Sequence, residues 1–270
     1  MTDVYDLALL DLDGVVYIGA EAVPGAATSL QRARAAGMHL AFVTNNASRP
    51  PASVAKHLSQ LGIEAEPHEV VTSAQAAAGL LARDLPPASP VFVIGEPGLE
   101  DALVEHGLVP TSDIDAEPVA VVSGYHPDLR WRTVIDGAIL VRRGLPWVAS
   151  NTDATVPTPH GSGPGNGVLV RAVAEFADCQ PRVAGKPEPP LFSESIERVG
   201  GQKPLVVGDR LDTDIAGAHR CDLDSLLVLT GVTGLGELIA APPELRPTYI
   251  AADLSGLHTA HPGVQSRAIR

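Results

Sequence analysis

Leu7-Ala8-Leu9-Leu10-Asp11-Leu12-Asp13-Gly14-Val15-Val16 is an apolar run that ends in two carboxylates one residue apart. The run reads as a buried strand, and an ionised carboxylate at the end of such a strand is costly unless a cation compensates it. A pair is worse, because each charge opposes ionisation of the other. A divalent cation held by oxygen ligands is the direct compensation. Taken alone, the stretch is equally a strand closed by a turn, since Asp and Gly are ordinary turn residues. The first reading requires matching chemistry from other segments at the same edge.

Two later segments have the same form. His39-Leu40-Ala41-Phe42-Val43 reads as a buried strand ending in Thr44-Asn45-Asn46, and Pro204-Leu205-Val206-Val207 as another ending in Gly208-Asp209-Arg210-Leu211-Asp212-Thr213-Asp214. Between them, an Ala-rich helical stretch follows Val23-Pro24-Gly25 and stops near Gly37, Ser53 is placed to cap a helix through Leu61, and Thr72-Ser73 to cap another through Asp84. Alternating strands and helices predict an α/β fold around a parallel sheet, whose ligands gather outside the carboxyl ends of the strands.

Pro86-Pro87-Ala88-Ser89-Pro90 reads as a connector that opens a fresh series. Strands at Val91–Ile94, Val119–Val122 and Trp147–Ala149 alternate with helices at Leu99–His106 and Leu129–Arg143, so a second α/β unit is expected inside the first. The stretch Asn151 to Gly167 is rich in Pro, Gly and Thr. It lacks the preceding strand of a dinucleotide loop and the Lys-Ser or Lys-Thr of a P-loop, so it is expected to be a surface loop. Helices are expected near 168–177 and 191–199, with a short one ending near His219, a strand at Ser225–Leu229, a small helix at Gly236–Ala240 and an edge strand at Thr248–Ile250. His258 to Arg270 has no periodicity and is expected to fray.

The 270 residues are enough for two compact units, and 45% hydrophobic against 19% charged residues is a globular balance. A formal net charge of −13 argues against nucleic acid or an anionic membrane as partner. It leaves room for a small anion bound by local donors. Cys179 and Cys221 are too few for a disulfide scaffold or a zinc site and are expected to be small buried side chains. The first residues carry no basic segment followed by a secretory apolar run, and no run is long enough for a bilayer, so a cytoplasmic location is expected.

Stacking the three strands in parallel brings Asp11, Asp13, Thr44, Asn45, Asp209 and Asp214 to one rim, with Lys186 of Gly185-Lys186-Pro187 able to enter from its loop. Several carboxylates with one lysine, a hydroxyl and free backbone N–H groups suit magnesium and a phosphate. Each piece has a plainer use: Thr44 and Asn45 as helix caps, Lys186 as a solvated loop lysine.

Asp11-Leu12-Asp13-Gly14-Val15-Val16, Val43-Thr44-Asn45-Asn46, Gly185-Lys186-Pro187 and Gly208-Asp209-Arg210-Leu211-Asp212-Thr213-Asp214-Ile215 resemble, in order, the four motifs of haloacid dehalogenase-like (HAD) phosphatases. The opening motif, Thr44-Asn45-Asn46, the Asn151 to Gly167 loop and Leu229-Thr230-Gly231-Val232 are similar to the NagD-like branch of subfamily IIA. That branch includes p-nitrophenylphosphatases and phosphoglycolate and glycerol-3-phosphate phosphatases. The resemblance covers nearly the whole chain and implies a Rossmann-like parallel-sheet core at 1–78 and 182–270, with an inserted α/β cap of the C2 type at 79–181.

It further implies Asp11 as nucleophile forming an aspartyl-phosphate, and Asp13 as general acid and then base, lending its carbonyl to the metal. Thr44, Asn45 through its N–H, and Lys186 would bind the phosphoryl group. Asp11, Asp13 and Asp209 would hold Mg²⁺, with Asp214 orienting water around the ion from outside that set. Asp212 has no assigned role, and Arg210 reads as a bridge between acidic neighbours. Tyr125, His126, Asp128 and Arg130 follow a strand of the inserted unit; they are candidates for a substrate pocket or simply a polar turn.

The expected activity is Mg-dependent hydrolysis of a small phosphomonoester, glycerol 3-phosphate or 2-phosphoglycolate, with p-nitrophenyl phosphate as an artificial substrate. The alternatives are a phosphoryl transferase or phosphomutase on the same core, or a non-enzymatic phospho-aspartate switch. The expected partner is a small phosphorylated metabolite. Packing through the cap offers a route to a homodimer that no residue pattern here specifies.

Overall fold

A computed structural model describes residues 1–95, 97–158 and 160–261. Residues 262–270, within the stretch expected to fray, lie outside the described residues. The chain forms two compact units: one of Met1–Thr44, Pro51–Val71 and the chain from Lys186 onward, the other of Asn45–Pro50 and Thr72–Gly185.

The first unit is built on a six-stranded sheet in the order Tyr249–Ala251, Asp224–Val228, Pro204–Gly208, Leu7–Leu10, His39–Thr44, Val70–Thr72. Leu7–Leu10 lies at its middle, parallel to both neighbours, with Leu10 level with Phe42 on one side and Val207 on the other. A central parallel strand is covered on both faces, which is why Leu7, Ala8, Leu9 and Leu10 are all apolar and all buried. Ala8, Leu10, Leu40, Phe42, Leu205 and Val207 alternate onto one face. There they pack with Leu30 and Ala33 of the Ala26–Ala35 helix and Val54 and Leu58 of the Pro51–Gln60 helix. The Asp11 N–H continues the ladder to the Val207 carbonyl at 2.9 Å, so the carboxylates begin where the paired strand ends.

The second unit has its own five-stranded sheet, ordered Arg182–Val183, Trp147–Ala149, Ala120–Ser123, Pro90–Ile94, Val109–Thr111, with every neighbouring pair parallel. Phe92, Ile94, Val121, Trp147 and Ala149 pack with Val134, Ala138 and Val141 of the Trp131–Arg142 helix and Val170 and Val173 of the Asn166–Ala177 helix. The Trp147 indole N–H finds the Ser123 hydroxyl at 3.0 Å, so this buried ring leaves no orphan donor.

Several expectations are corrected. The longer segment of the second unit is Thr72–Gly185, against an expected 79–181, and the unit also includes Asn45–Pro50. Gly79 lies inside the continuous Ser73–Asp84 helix, whose start is fixed by a capping box between Thr72 and Gln75. The helix expected to be capped by Ser53 starts at Pro51, whose fixed φ suits a first helical position. Within the Asn151 to Gly167 stretch, Thr155–Thr158 pairs antiparallel with Gly161–Pro164. Short strands at Tyr17–Ile18 and Glu21–Ala22, Val109–Thr111 and Arg182–Val183 were too brief to show a period. Cys179, just beyond the left-handed Asp178 that caps the Asn166–Ala177 helix, is exposed, and Cys221 is half-buried; both are free thiols. His258 is docked by its ring Nε2 on the Ser29 carbonyl at 2.8 Å, which holds the start of the tail. Among the described residues no helix is long and apolar enough to cross a membrane.

One ion pair joins secondary elements of the first unit through a buried carboxylate. Glu69 accepts from Arg34 Nη1 at 2.6 Å and Nη2 at 2.8 Å, and from the Glu66 N–H at 2.9 Å. Burial works to raise the Glu69 pKa, but Arg34 and the N–H outweigh it and hold the carboxyl below its usual value of 4.5. Its contribution is therefore present above that value and lost as pH falls through the lowered one. Glu69→Gln is expected to reduce unfolding free energy by about 1–2 kcal/mol at pH 7. Denaturant titrations at descending pH should show the difference from wild type vanishing once Glu69 itself protonates.

Candidate active site

The register that levels Leu10 with Phe42 and Val207 sets Asp11 beside Val43 and Gly208, and one residue further lie Thr44 and Asp209. Lys186 closes this edge. Its Nζ lies 2.7 Å from Asp11 Oδ1 and 2.7 Å from Asp214 Oδ1, and 3.5 Å from the Val43 carbonyl, with the residue only 3% exposed. A buried ammonium needs such company: burial works to lower its pKa, and the two carboxylates together lift it above the ordinary value.

Asp214 is held from both sides, since its Oδ2 accepts from the Arg210 N–H at 3.2 Å. The Leu211–Ile215 π-turn makes this possible by folding the chain back on itself. Gly208 is required there, because a Cβ would stand 2.2 Å from Asp214 Cβ.

Asp209 is 1% exposed, and its Oδ2 accepts from the Val232 N–H at 2.7 Å. Its Oδ1 is buried without a hydrogen-bond partner. Asp11, Asp209 and Asp214 each present an oxygen within 4.8 Å of the others. A group of three carboxylates, one of which keeps a buried oxygen without a donor, is an arrangement that a hard divalent cation completes. The donor set therefore fits a magnesium ion held through Asp11 and Asp209, while both oxygens of Asp214 already have donors.

Two glycines make room for Asp209. Gly14 has φ +80°, and a Cβ on it would lie 2.4 Å from Asp209 Oδ2; on Gly231 it would lie 1.9 Å from the same atom. Thr230 Oγ1 donates to the Gly14 carbonyl at 2.5 Å, tying the Thr230–Thr233 loop to the opening motif. Thr230, Gly231 and the Val232 N–H are the functional groups that sequence reasoning gave no role. The available signal was a Thr-Gly pair at the end of a buried strand.

The structure thus brings Asp11, Lys186, Asp209 and Asp214 together, with Thr44 buried at the end of its strand. The Asp13 side chain is exposed. Asn45 lies in the second unit, where its side chain donates to Asp153 Oδ1 at 3.0 Å. Arg210 forms a bidentate pair with exposed Asp212 at 3.0 and 2.7 Å, one of the acidic neighbours it was expected to bridge. In the second unit, His126 Nδ1 accepts from the Asp128 N–H at 2.9 Å, which makes Tyr125 to Arg130 a polar turn after the Ala120–Ser123 strand.

Burial, reinforced by neighbouring carboxylates, pushes Asp209 up to about 6 and Asp214 up to about 6. Burial also raises Asp11, against the pull of Lys186. With a folded pKa of about 6 against an ordinary 3.8, Asp209 binds its proton more tightly when folded, so metal-free stability declines as pH rises through that window. In EDTA at pH 7.5, Asp209→Asn is therefore expected to be more stable than wild type by about 2–3 kcal/mol. The gain should fade below pH 4, and added magnesium should stabilise wild type and leave the variant unmoved. Thermal denaturation with and without the ion checks all three.

Residues 8–109 match the family model for haloacid dehalogenase-like hydrolases, and residues 183–257 match the HAD-hydrolase-like model. The chain is 45% identical to the D-glycerol 3-phosphate phosphatase of Mycobacterium tuberculosis, over 94% of this chain and 71% of that protein. It is 34% identical to the acid sugar phosphatase of Staphylococcus aureus, over 93% and 96%. The crystal structure of a glycerol phosphate phosphatase from Mycobacterium tuberculosis in complex with magnesium superimposes with a TM-score of 0.91 at 43% identity, covering 100% of this chain and 80% of that one. The chain belongs to the haloacid dehalogenase-like hydrolases, whose four motifs its sequence resembles, in the NagD-like branch.

Proposed function

We propose that the protein is a magnesium-dependent phosphatase of small phosphomonoesters that works through an aspartyl-phosphate on Asp11, with glycerol 3-phosphate as the first substrate to assay. The observation that carries this reading is the Lys186 ammonium between Asp11 and Asp214, beside an Asp209 oxygen that has no protein donor. The substrate follows the glycerol phosphate phosphatases among its relatives, and 2-phosphoglycolate comes second. Two free cysteines, one of them exposed, support a reducing compartment, and we place the enzyme in the cytoplasm.

Asp11 and Asp209, with the Asp13 carbonyl, would hold magnesium, which when bound supplies positive charge where two anions must meet. Lys186, the Thr44 hydroxyl and the Asn45 N–H hold the phosphoryl oxygens. An Asp11 carboxylate oxygen attacks phosphorus as the ester P–O bond breaks, and protonated Asp13 gives its proton to the departing alkoxide. Asp13, now a carboxylate, takes a proton from water; that water attacks phosphorus, inorganic phosphate leaves and Asp11 is restored. The exposed Asp13 side chain suits a group that trades protons with solvent between the two halves. Asp214 acts by holding Lys186 in place.

Asp11→Asn is expected to fold and to lose at least about a thousandfold in kcat on p-nitrophenyl phosphate, and EDTA should abolish wild-type turnover until magnesium is restored. Undiminished release of phosphate by the variant would contradict the reading. Transfer of phosphate to a second acceptor without free phosphate would assign a transferase instead, and a persistent phosphoprotein without turnover a switch.

A further inference from the structure

Lys186 and Thr44 each have a chain neighbour, Gly185 and Asn45, that belongs to the second unit. Within that unit, Asn45 is gripped at three points. Its carbonyl accepts from Ser73 Oγ at 2.6 Å and from Asn151 Nδ2 at 2.7 Å, and its side-chain amide donates to Asp153 Oδ1 at 3.0 Å. The grip is itself braced. Asn151 Oδ1 accepts from the Asp153 N–H at 3.1 Å, and Asn166 Nδ2 donates to the Asn151 carbonyl at 2.7 Å. Ser73, Asn151 and Asn166 are buried, at 0%, 4% and 2% exposure. Gly185 packs into the same knot, since a Cβ there would lie 2.6 Å from Asn45 Oδ1 and 2.6 Å from the Ser150 carbonyl.

The residue types are those the grip requires. Asn151 must donate to one carbonyl and accept from one N–H, which only a side-chain amide of that length does. Asp153 supplies an acceptor for an amide, and Ser73 a donor at the first turn of its helix. The next residue is settled separately, because Asn46 Oδ1 accepts from the Ser48 N–H and hydroxyl at 2.8 and 2.7 Å.

We infer that Asn151 and Asp153, with Ser73, are positioning residues for phosphate binding: by fixing the carbonyl and side chain of Asn45, whose N-terminal neighbour is already fixed as the last residue of its strand, they set the direction of the Asn45 N–H. The inference rests on the reading that this N–H holds a phosphoryl oxygen. Fixed donors cost no reorganisation when the anion arrives, and a donor left free to swing loses that advantage. One charge-assisted hydrogen bond lost in this way weakens anion binding by about tenfold.

The test compares Asp153→Ala, Asn151→Asp, Ser73→Ala and Asp153→Asn with wild type by steady-state kinetics on p-nitrophenyl phosphate, and by calorimetric titration with inorganic phosphate in magnesium. Asn151→Asp keeps the acceptor and loses the donor; Asp153→Asn keeps an acceptor oxygen and serves as the conservative control. The expected result is a KM raised about tenfold for Asp153→Ala and Asn151→Asp, about threefold for Ser73→Ala, and little changed for Asp153→Asn. Phosphate affinity should weaken in parallel and half-saturating magnesium stay put, because the carboxylate cluster lies in the other unit. Folded variants with lowered thermal stability but KM and phosphate affinity within twofold of wild type would overturn the inference. If the first two variants fail to fold, Ser73→Ala decides. Wild type in the same assays reads the phosphatase assignment separately: phosphate bound without turnover would refute that assignment and leave the positioning claim to the calorimetry.

Discussion

A single buried ammonium organises the catalytic edge of the sheet. Lys186 Nζ is 2.7 Å from both Asp11 and Asp214, and Asp209 joins them in a group of three carboxylates at this edge. Burial, with repulsion between the carboxylates added to it, drives the Asp209 and Asp214 carboxyls up to about 6. A protein that needed only to fold would gain by replacing this cluster with apolar side chains. Its retention makes sense when a divalent cation and a phosphate monoester complete the charge balance during turnover, so that the cluster is a strained resting state of a site built for two further ions.

The backbone around the cluster is shaped to leave room for it. Gly14, Gly208 and Gly231 each sit where a Cβ would strike Asp209 or Asp214. The parallel ladder brings three strand ends to one level, and the loops that follow turn on these glycines. Asp209 can therefore keep one oxygen on the Val232 N–H and leave the other for a ligand. The same economy of backbone is seen in the second unit, where Gly185 lets the return crossing pack against Asn45 immediately before Lys186.

The strands and the carboxylates at their ends were legible in the sequence because a central parallel strand is a continuous apolar run, and an abrupt Asp after it has no other place to go. Lys186 was legible only through the order of the motifs, since a lysine between a Gly and a Pro carries no period of its own. The contacts of Asp209 with Gly14 and Gly231 were hidden because they join segments far apart in the chain, and a glycine does not announce what it approaches. The hairpin at Thr155–Pro164 was hidden for another reason: its strands are Pro- and Gly-rich and lack an apolar face. Asn45 read correctly as a strand-end residue, yet its grip by Ser73, Asn151 and Asp153 depends on tertiary packing among segments far apart in the chain.

The claim on which the rest depends is that Asp11, and not water, makes the first bond to phosphorus. The stereochemical course at phosphorus measures this directly, using a phosphomonoester made chiral with three oxygen isotopes and an alcohol acceptor in place of water. Attack by Asp11 followed by attack of the acceptor inverts the centre twice, so the account predicts net retention of configuration. Net inversion would show a single direct displacement and contradict it.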